Sequence, residues 1–194
     1  MAPQNLIVPV PHKVLLFSGH MIDSATREKP RFAADKEPVA AKAIADTFDR
    51  IGAERGDLAV CGGACGGDLL FAEAGLARQL TLAIYLPFEE DKFLVDSIDF
   101  AGPGWRTRYY AAKSQASFHV ATEELGPLRA DENPYERNNQ WMLQVATSFG
   151  AEKVDCIVLW DGKGGDGPGG TAHLMQEVQK AGGRTHWLDT TKLW

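Results

Sequence analysis

Six short apolar segments separated by amphipathic ones predict a doubly wound α/β fold: a mainly parallel, Rossmann-like sheet of about six strands with helices on both faces. Three observations carry that prediction. Several of the segments are apolar at consecutive positions, as strands covered by helices on both sides must be. The stretches between them repeat apolar residues at helical spacing. Glycine is enriched, at 20 of 194 residues against about 7% in typical proteins, and 11 of the 20 fall in three loops that follow predicted strands.

The strands are read at Lys13–Ser18, Leu58–Cys61, Leu82–Leu86, Phe118–Ala121, Val154–Trp160 and Thr185–Leu188. Between the first two, Pro38–Ile51 carries Val39, Ala43, Ile44, Phe48 and Ile51 on one stripe, with Pro38 suited to a first helical turn. Asp68–Gln79 opens with Asp68 as N-cap and continues Leu69, Ala72 and Leu76 on one side. Tyr135–Phe149 places Tyr135, Met142, Val145, Ala146 and Phe149 on a common face, and Thr171–Ala181 does the same with Leu174, Met175, Val178 and Ala181. Strand–helix alternation of this kind gives a parallel sheet with right-handed crossovers. Two stretches interrupt it. Residues 24–37 read as a long polar loop, and residues 91–117, with the Gly102–Trp105 turn and a helix over 106–117, read as a lid-like helical insertion.

The length fits a single domain over residues 1–194 that needs no disulfide or metal staple. With 44% apolar and 24% charged residues, wholesale disorder is excluded. Twenty basic against 26 acidic residues leave a net charge of −6, which works against nucleic-acid and membrane partners. Cys61, Cys65 and Cys156 form neither a CxxC pair nor a disulfide framework. The first twenty residues lack the order of a signal peptide, and no run reaches the ~18 apolar residues of a membrane helix. These features point to a soluble, cytoplasmic protein. His12, His20, His119, His173 and His186 show no paired ligand spacing, so no metal is expected, and no cofactor is implied.

In such sheets ligands gather at the carboxyl ends of the strands. Ser18-Gly19-His20-Met21 follows the first strand and could let backbone amides approach a phosphate or ribose, or could be a tight turn. Residues 61–68, Cys-Gly-Gly-Ala-Cys-Gly-Gly-Asp, bring Gly62, Gly63, Gly66 and Gly67 before a helix N-terminus, an arrangement that cradles anions. It is neither GxGxxG nor a P-loop. Asp68 complicates a phosphate there, because its carboxylate would occupy the same positive end; it could accept from a ribose hydroxyl instead. The alternative is a turn that lets helix and strand pack closely. Residues 161–171 are again glycine-rich and end in Gly169, Gly170 and Thr171 where the last long helix begins. Arg137 and Asn138 open the preceding helix and could bond a ligand's phosphate or base, or form a solvated polar turn.

Together these loops resemble the SLOG superfamily, the Rossmann-like group that includes DprA/Smf proteins, LOG phosphoribohydrolases and nucleotide-sensing domains. The glycine loop ending at Asp68 looks like that family's loop after the second strand. Glu136-Arg137-Asn138 with Met142 resembles the Glu-Arg-Lys…Met helix of LOG enzymes, and Pro168-Gly169-Gly170-Thr171 their Pro-Gly-Gly-x-Gly-Thr loop, shortened. Ser18–Asp23, Gly66–Asp68 and Leu86–Phe88 are closer to a sensor-type subgroup found at the start of larger signalling proteins. The resemblance implies a nucleotide-like small-molecule ligand and, since LOG-like proteins are commonly dimers, a homodimer.

The departures bear on activity. LOG enzymes place a catalytic glutamate three residues after the loop threonine, where this chain has Leu174. The lysine after the helix arginine is Asn138. Cleaving an N-glycosidic bond needs a carboxylate to stabilise the sugar cation and activate water. The nearest glutamate, Glu177, lies one helical turn further from the loop. Asp68, Glu73 or Asp161 could substitute, with Asp68 and Glu73 the candidates taken forward. The reading is therefore a nucleotide-binding, ligand-sensing domain, with a LOG-like phosphoribohydrolase as the alternative. A DNA-binding role, by analogy with DprA/Smf, is disfavoured by the acidic charge and the absence of a basic stripe.

Overall fold

The computed structural model describes residues 10–164 and 170–194. Six strands, β1 (Val14–Gly19), β2 (Leu58–Cys61), β3 (Thr81–Leu86), β4 (Ala116–Val120), β5 (Val154–Trp160) and β6 (Arg184–Asp189), form one sheet. Their order is β4-β3-β2-β1-β5-β6, and every neighbouring pair is parallel. All six predicted strands are present, each extended or shifted by at most two residues.

The helices are α1 (Glu37–Ile51), α2 (Gly67–Ala77), α3 (Glu90–Ser97), α4 (Pro103–Lys113), the short α5 (Ala121–Glu124), α6 (Pro134–Ser148), α7 (Thr171–Lys180) and the C-terminal turn α8 (Thr190–Leu193). The strand alternation divides them into two layers. Leu15, Phe17, Cys61, Ile84 and Leu159 face a core built with Ile44, Phe48, Leu69 and Phe71 from α1 and α2. Val14, Leu16, Val60, Cys156 and Val158 face the other way, onto Trp141 and Met142 of α6 and Leu174 and Val178 of α7. Right-handed crossovers explain the division. From β1 to β4 the chain steps in one direction with its helices on one face; to place β5 on the far side of β1 it must cross to the other face.

Residues 91–117, expected as a lid-like insertion, carry the β3–β4 crossover as α3, α4 and the start of β4. Phe93, Trp105 and Tyr109 are buried in the same core as α1 and α2. Asp68 does not cap α2: Gly66 holds that position and Asp68 lies in the first turn. Gly170 holds the N-cap position of α7, and Thr171 is its first helical residue. All three cysteines are free and buried, and burial pushes the Cys65 and Cys156 thiols up to about 12, so neither supplies a thiolate near neutral pH. No helix among the described residues is long and apolar enough to cross a membrane.

Candidate functional site

The strand order reverses between β1 and β5, which opens a crevice at their carboxyl ends. A cavity of about 200 Å³ lies at that end of the sheet. The exits of β1 and β2 supply Ser18, Gly19, Gly62 and Ala64. Asp68 of α2 and Asn138, Asn139 and Thr171 of α6 and α7 add the polar groups. Phe17, Met21, Phe93, Tyr135 and Met142 form apolar walls.

The β2–α2 loop is bent tightly against the β1 exit. Gly66 has φ +89°, and a Cβ there would stand 2.6 Å from the Ile22 nitrogen. At Gly67 a Cβ would meet the Phe17 ring at 2.7 Å. These two glycines let the loop pack, the second of the alternatives open in the sequence. The amides they free are largely spent within the protein. Gly67 N–H donates to the His20 carbonyl at 3.1 Å and Cys65 N–H to the Ser97 carbonyl at 2.9 Å. Gly62 N–H donates to Asp68 Oδ1 at 2.8 Å. The Gly63 and Asp68 backbone N–H groups add to the pull that favours its ionised form.

Asp68 thus occupies the anion cradle of its own loop. It is 8% exposed, and burial raises its carboxyl from 3.8 to about 7 against the opposing pull of those three amides. A carboxyl that titrates near neutrality and borders a cavity can hold or move a proton.

Asn138 is more deeply buried, at 4%. Its amide donates to the Tyr85 carbonyl at 2.8 Å, which leaves Oδ1 with no partner among the described residues. A buried acceptor left unpaired costs about 1–3 kcal/mol, so a ligand donor reaching it recovers that loss.

The remaining predicted residues divide. Thr171 lies at the rim, its Oγ1 3.3 Å from Ser18 Oγ. His20 is buried but does not border the cavity; its Nε2 accepts from Asp161 N–H at 3.2 Å and tethers the β1 exit to the β5 exit. Burial, with the nearby Arg31, lowers its pKa, so the ring is neutral near pH 7 and acts as that acceptor. Arg137 faces away, donating to the Leu125 and Gly126 carbonyls at 2.7 and 3.1 Å. Glu73 also lies outside the cavity, holding Arg108 through two bonds of 2.6 and 2.7 Å. Leu174 is buried in the core, and Glu177 pairs with Lys180 at 2.8 Å. Gly169 lies outside the described residues, and no group of three or more His, Cys, Asp or Glu among the described residues could hold a metal.

The sequence reading missed Asn139, Phe93 and Tyr135 as cavity residues. Tyr135, Asn138, Asn139 and Met142 fall at i, i+3, i+4 and i+7 of α6, a single helical stripe. A polar pair on an otherwise apolar stripe was the available signal.

No family model matches the chain, and no curated protein matches it. Among solved structures it is similar to DNA processing protein A (DprA) from Streptococcus pneumoniae, at 15% identity and a TM-score of 0.47. The match covers 96% of this chain and 55% of that one, so this chain spans about half its length. No function is carried over from it.

Proposed function

We propose that this chain binds a nucleotide or nucleotide-derived small molecule in the cavity at the carboxyl-end rim of the sheet, as a ligand-sensing domain. One observation carries the reading: segments far apart in sequence converge on a cavity at the point where the strand order reverses. Its apolar walls suit a flat ring and its polar floor suits a sugar. The volume, about 200 Å³, falls below the ~300–1,000 Å³ of drug-sized sites, so part of a nucleotide would project beyond it. A sensing role is favoured over catalysis by Leu174, a buried core residue where LOG enzymes carry their glutamate.

Thermal-shift and equilibrium binding with mono-, di- and cyclic nucleotides and ADP-ribose test this. Saturable binding that Gly62→Val abolishes is expected, because a Cβ at Gly62 would already stand 3.3 Å from Asp68 Oδ1. A folded protein that binds none of the panel refutes it.

One observation favours a second reading, hydrolysis of a nucleoside monophosphate at its N-glycosidic bond. The Asp68 carboxyl borders the cavity and titrates near neutrality, as a proton-transfer group should. Release of free base and phosphosugar from AMP, lost in Asp68→Asn, would establish it; no release by the wild-type chain rejects it.

A further inference from the structure

The geometry points to a ligand held on the cavity floor by hydrogen-bond donors, the vicinal hydroxyls of a sugar, with phosphate contributing little to affinity. This rests on the ligand-binding reading above and names the part of the ligand that the floor recognises.

Two independent features of the floor agree. The first is that Asp68 already sits where the β2–α2 loop would cradle a phosphate. The amide of Gly62 bonds the Asp68 carboxylate, while those of Cys65 and Gly67 bond protein carbonyls. An incoming phosphate would have to displace a carboxyl group that belongs to the chain, and would meet its charge once that group ionises. No described residue that borders the cavity is Lys, Arg or His, so no cation offsets that repulsion.

The second is the unpaired acceptor. Asn138 Oδ1 is buried and lacks a donor, and its orientation is set by the bond from its own amide to the Tyr85 carbonyl. Gly62, Asp68 and Asn138 all border the cavity. A Cβ on that glycine would lie 3.3 Å from Asp68 Oδ1 and 4.0 Å from the Tyr85 carbonyl oxygen that Asn138 grips. The missing side chain at Gly62 leaves room beside the Asp68 carboxyl, in the cavity that Asn138 also borders. Two neighbouring hydroxyls each supply one proton to such a pair, whereas a phosphate ester at neutral pH supplies none.

Isothermal titration calorimetry on the intact chain tests the inference with four ribonucleosides, their 5′-monophosphates, the 2′,3′-dideoxynucleosides and inorganic phosphate. At least one ribonucleoside is expected to bind within about threefold of its monophosphate. Its dideoxy analogue is expected to bind at least about tenfold more weakly, the loss for roughly 1.4 kcal/mol of hydrogen bonding. Inorganic phosphate is expected not to compete. The comparison alters the ligand, so it does not depend on a variant that folds; Asn138→Leu, where folded, should bring the ribo- and dideoxy-affinities together.

A monophosphate more than about tenfold tighter than its nucleoside, competition by phosphate, or equal binding of ribo- and dideoxynucleosides overturns the inference and leaves the ligand-binding reading standing. Failure of every nucleoside and nucleotide to bind overturns both.

Discussion

Replacing Asp68 by asparagine should change how the stability of this protein depends on pH. The side chain is buried, and burial outweighs three backbone N–H donors to hold its carboxyl at about 7 where an exposed one sits at 3.8. At about 1.4 kcal/mol per unit, that displacement disfavours the ionised form in the folded state by roughly 4 kcal/mol. The sign follows from where protons reside. Below the ordinary carboxyl range both folded and unfolded chains are protonated, and the group is neutral in its effect. Between 3.8 and about 7 the unfolded chain ionises while the folded chain keeps its proton, so stability falls as pH rises. Above the folded value the loss is complete.

Asparagine cannot ionise and escapes this loss. Any hydrogen bond it forfeits with Gly63 or its own amide is a fixed offset. Urea unfolding of wild type and Asp68→Asn from about pH 4 to about pH 8 should therefore show the variant gaining stability relative to wild type by several kcal/mol. A difference that stays constant across that range, or a side-chain carboxyl that titrates by NMR near 4, would refute the placement of Asp68.

Other perturbations reach other parts of the structure. Gly66→Ala combines a positive φ with a Cβ 2.6 Å from the Ile22 nitrogen and should cost roughly 3 kcal/mol or more, read as a lowered Tm. Glu73→Gln should leave ligand binding and any base release unchanged, because Glu73 engages Arg108 outside the cavity; the loss of stability should be about 1 kcal/mol or less for a partly exposed pair. A measured loss of binding would return Glu73 to the site. Burial works to raise the pKa of Asp155, but hydrogen bonds from Arg184 and His186 prevail and hold it at about 2. Its contribution is present above the ordinary carboxyl range and is lost as pH falls towards the folded value. Arg184→Gln should thus move the acid-unfolding midpoint upward and cost about 1–2 kcal/mol near neutrality.

The fold was legible because both faces of this sheet are covered. Runs such as Val154–Trp160 are apolar at nearly every position, and only a helix-sandwiched strand requires that. The site was legible in part. Loops after β1, β2 and β5 could be named from glycine placement, but not which residues in them turn inward. His20 follows the first strand and looked free to meet a ligand. Its actual partner, Asp161, lies 141 residues away and becomes a neighbour only because β5 pairs with β1. Arg137 shows the complementary failure. The family resemblance singled it out, yet on α6 it sits one position off the stripe that Tyr135, Asn138, Asn139 and Met142 present to the cavity. Helical phase, read with attention to polar residues on the apolar face, would have preferred Asn138.

The glycine loop changes meaning once Asp68 is placed. Exposed amides before a helix N-terminus ordinarily attract a ligand's anion. Here the chain supplies the anion, two residues inside the helix, and the glycines that seemed to cradle a phosphate cradle Asp68 and allow the loop to touch Ile22 and Phe17. The consequence is an inversion of polarity at the cavity floor. A rim of donors would select an acidic ligand by charge; a floor of acceptors, with Asn138 Oδ1 unpaired and Asp68 bordering the same cavity, selects hydroxyls by geometry. Discrimination of that kind is strong, because a ligand lacking the donor leaves a buried acceptor unsatisfied. Loss of binding on removal of two hydroxyls from the ligand, with phosphate dispensable, is the outcome that separates an acceptor floor from a phosphate cradle.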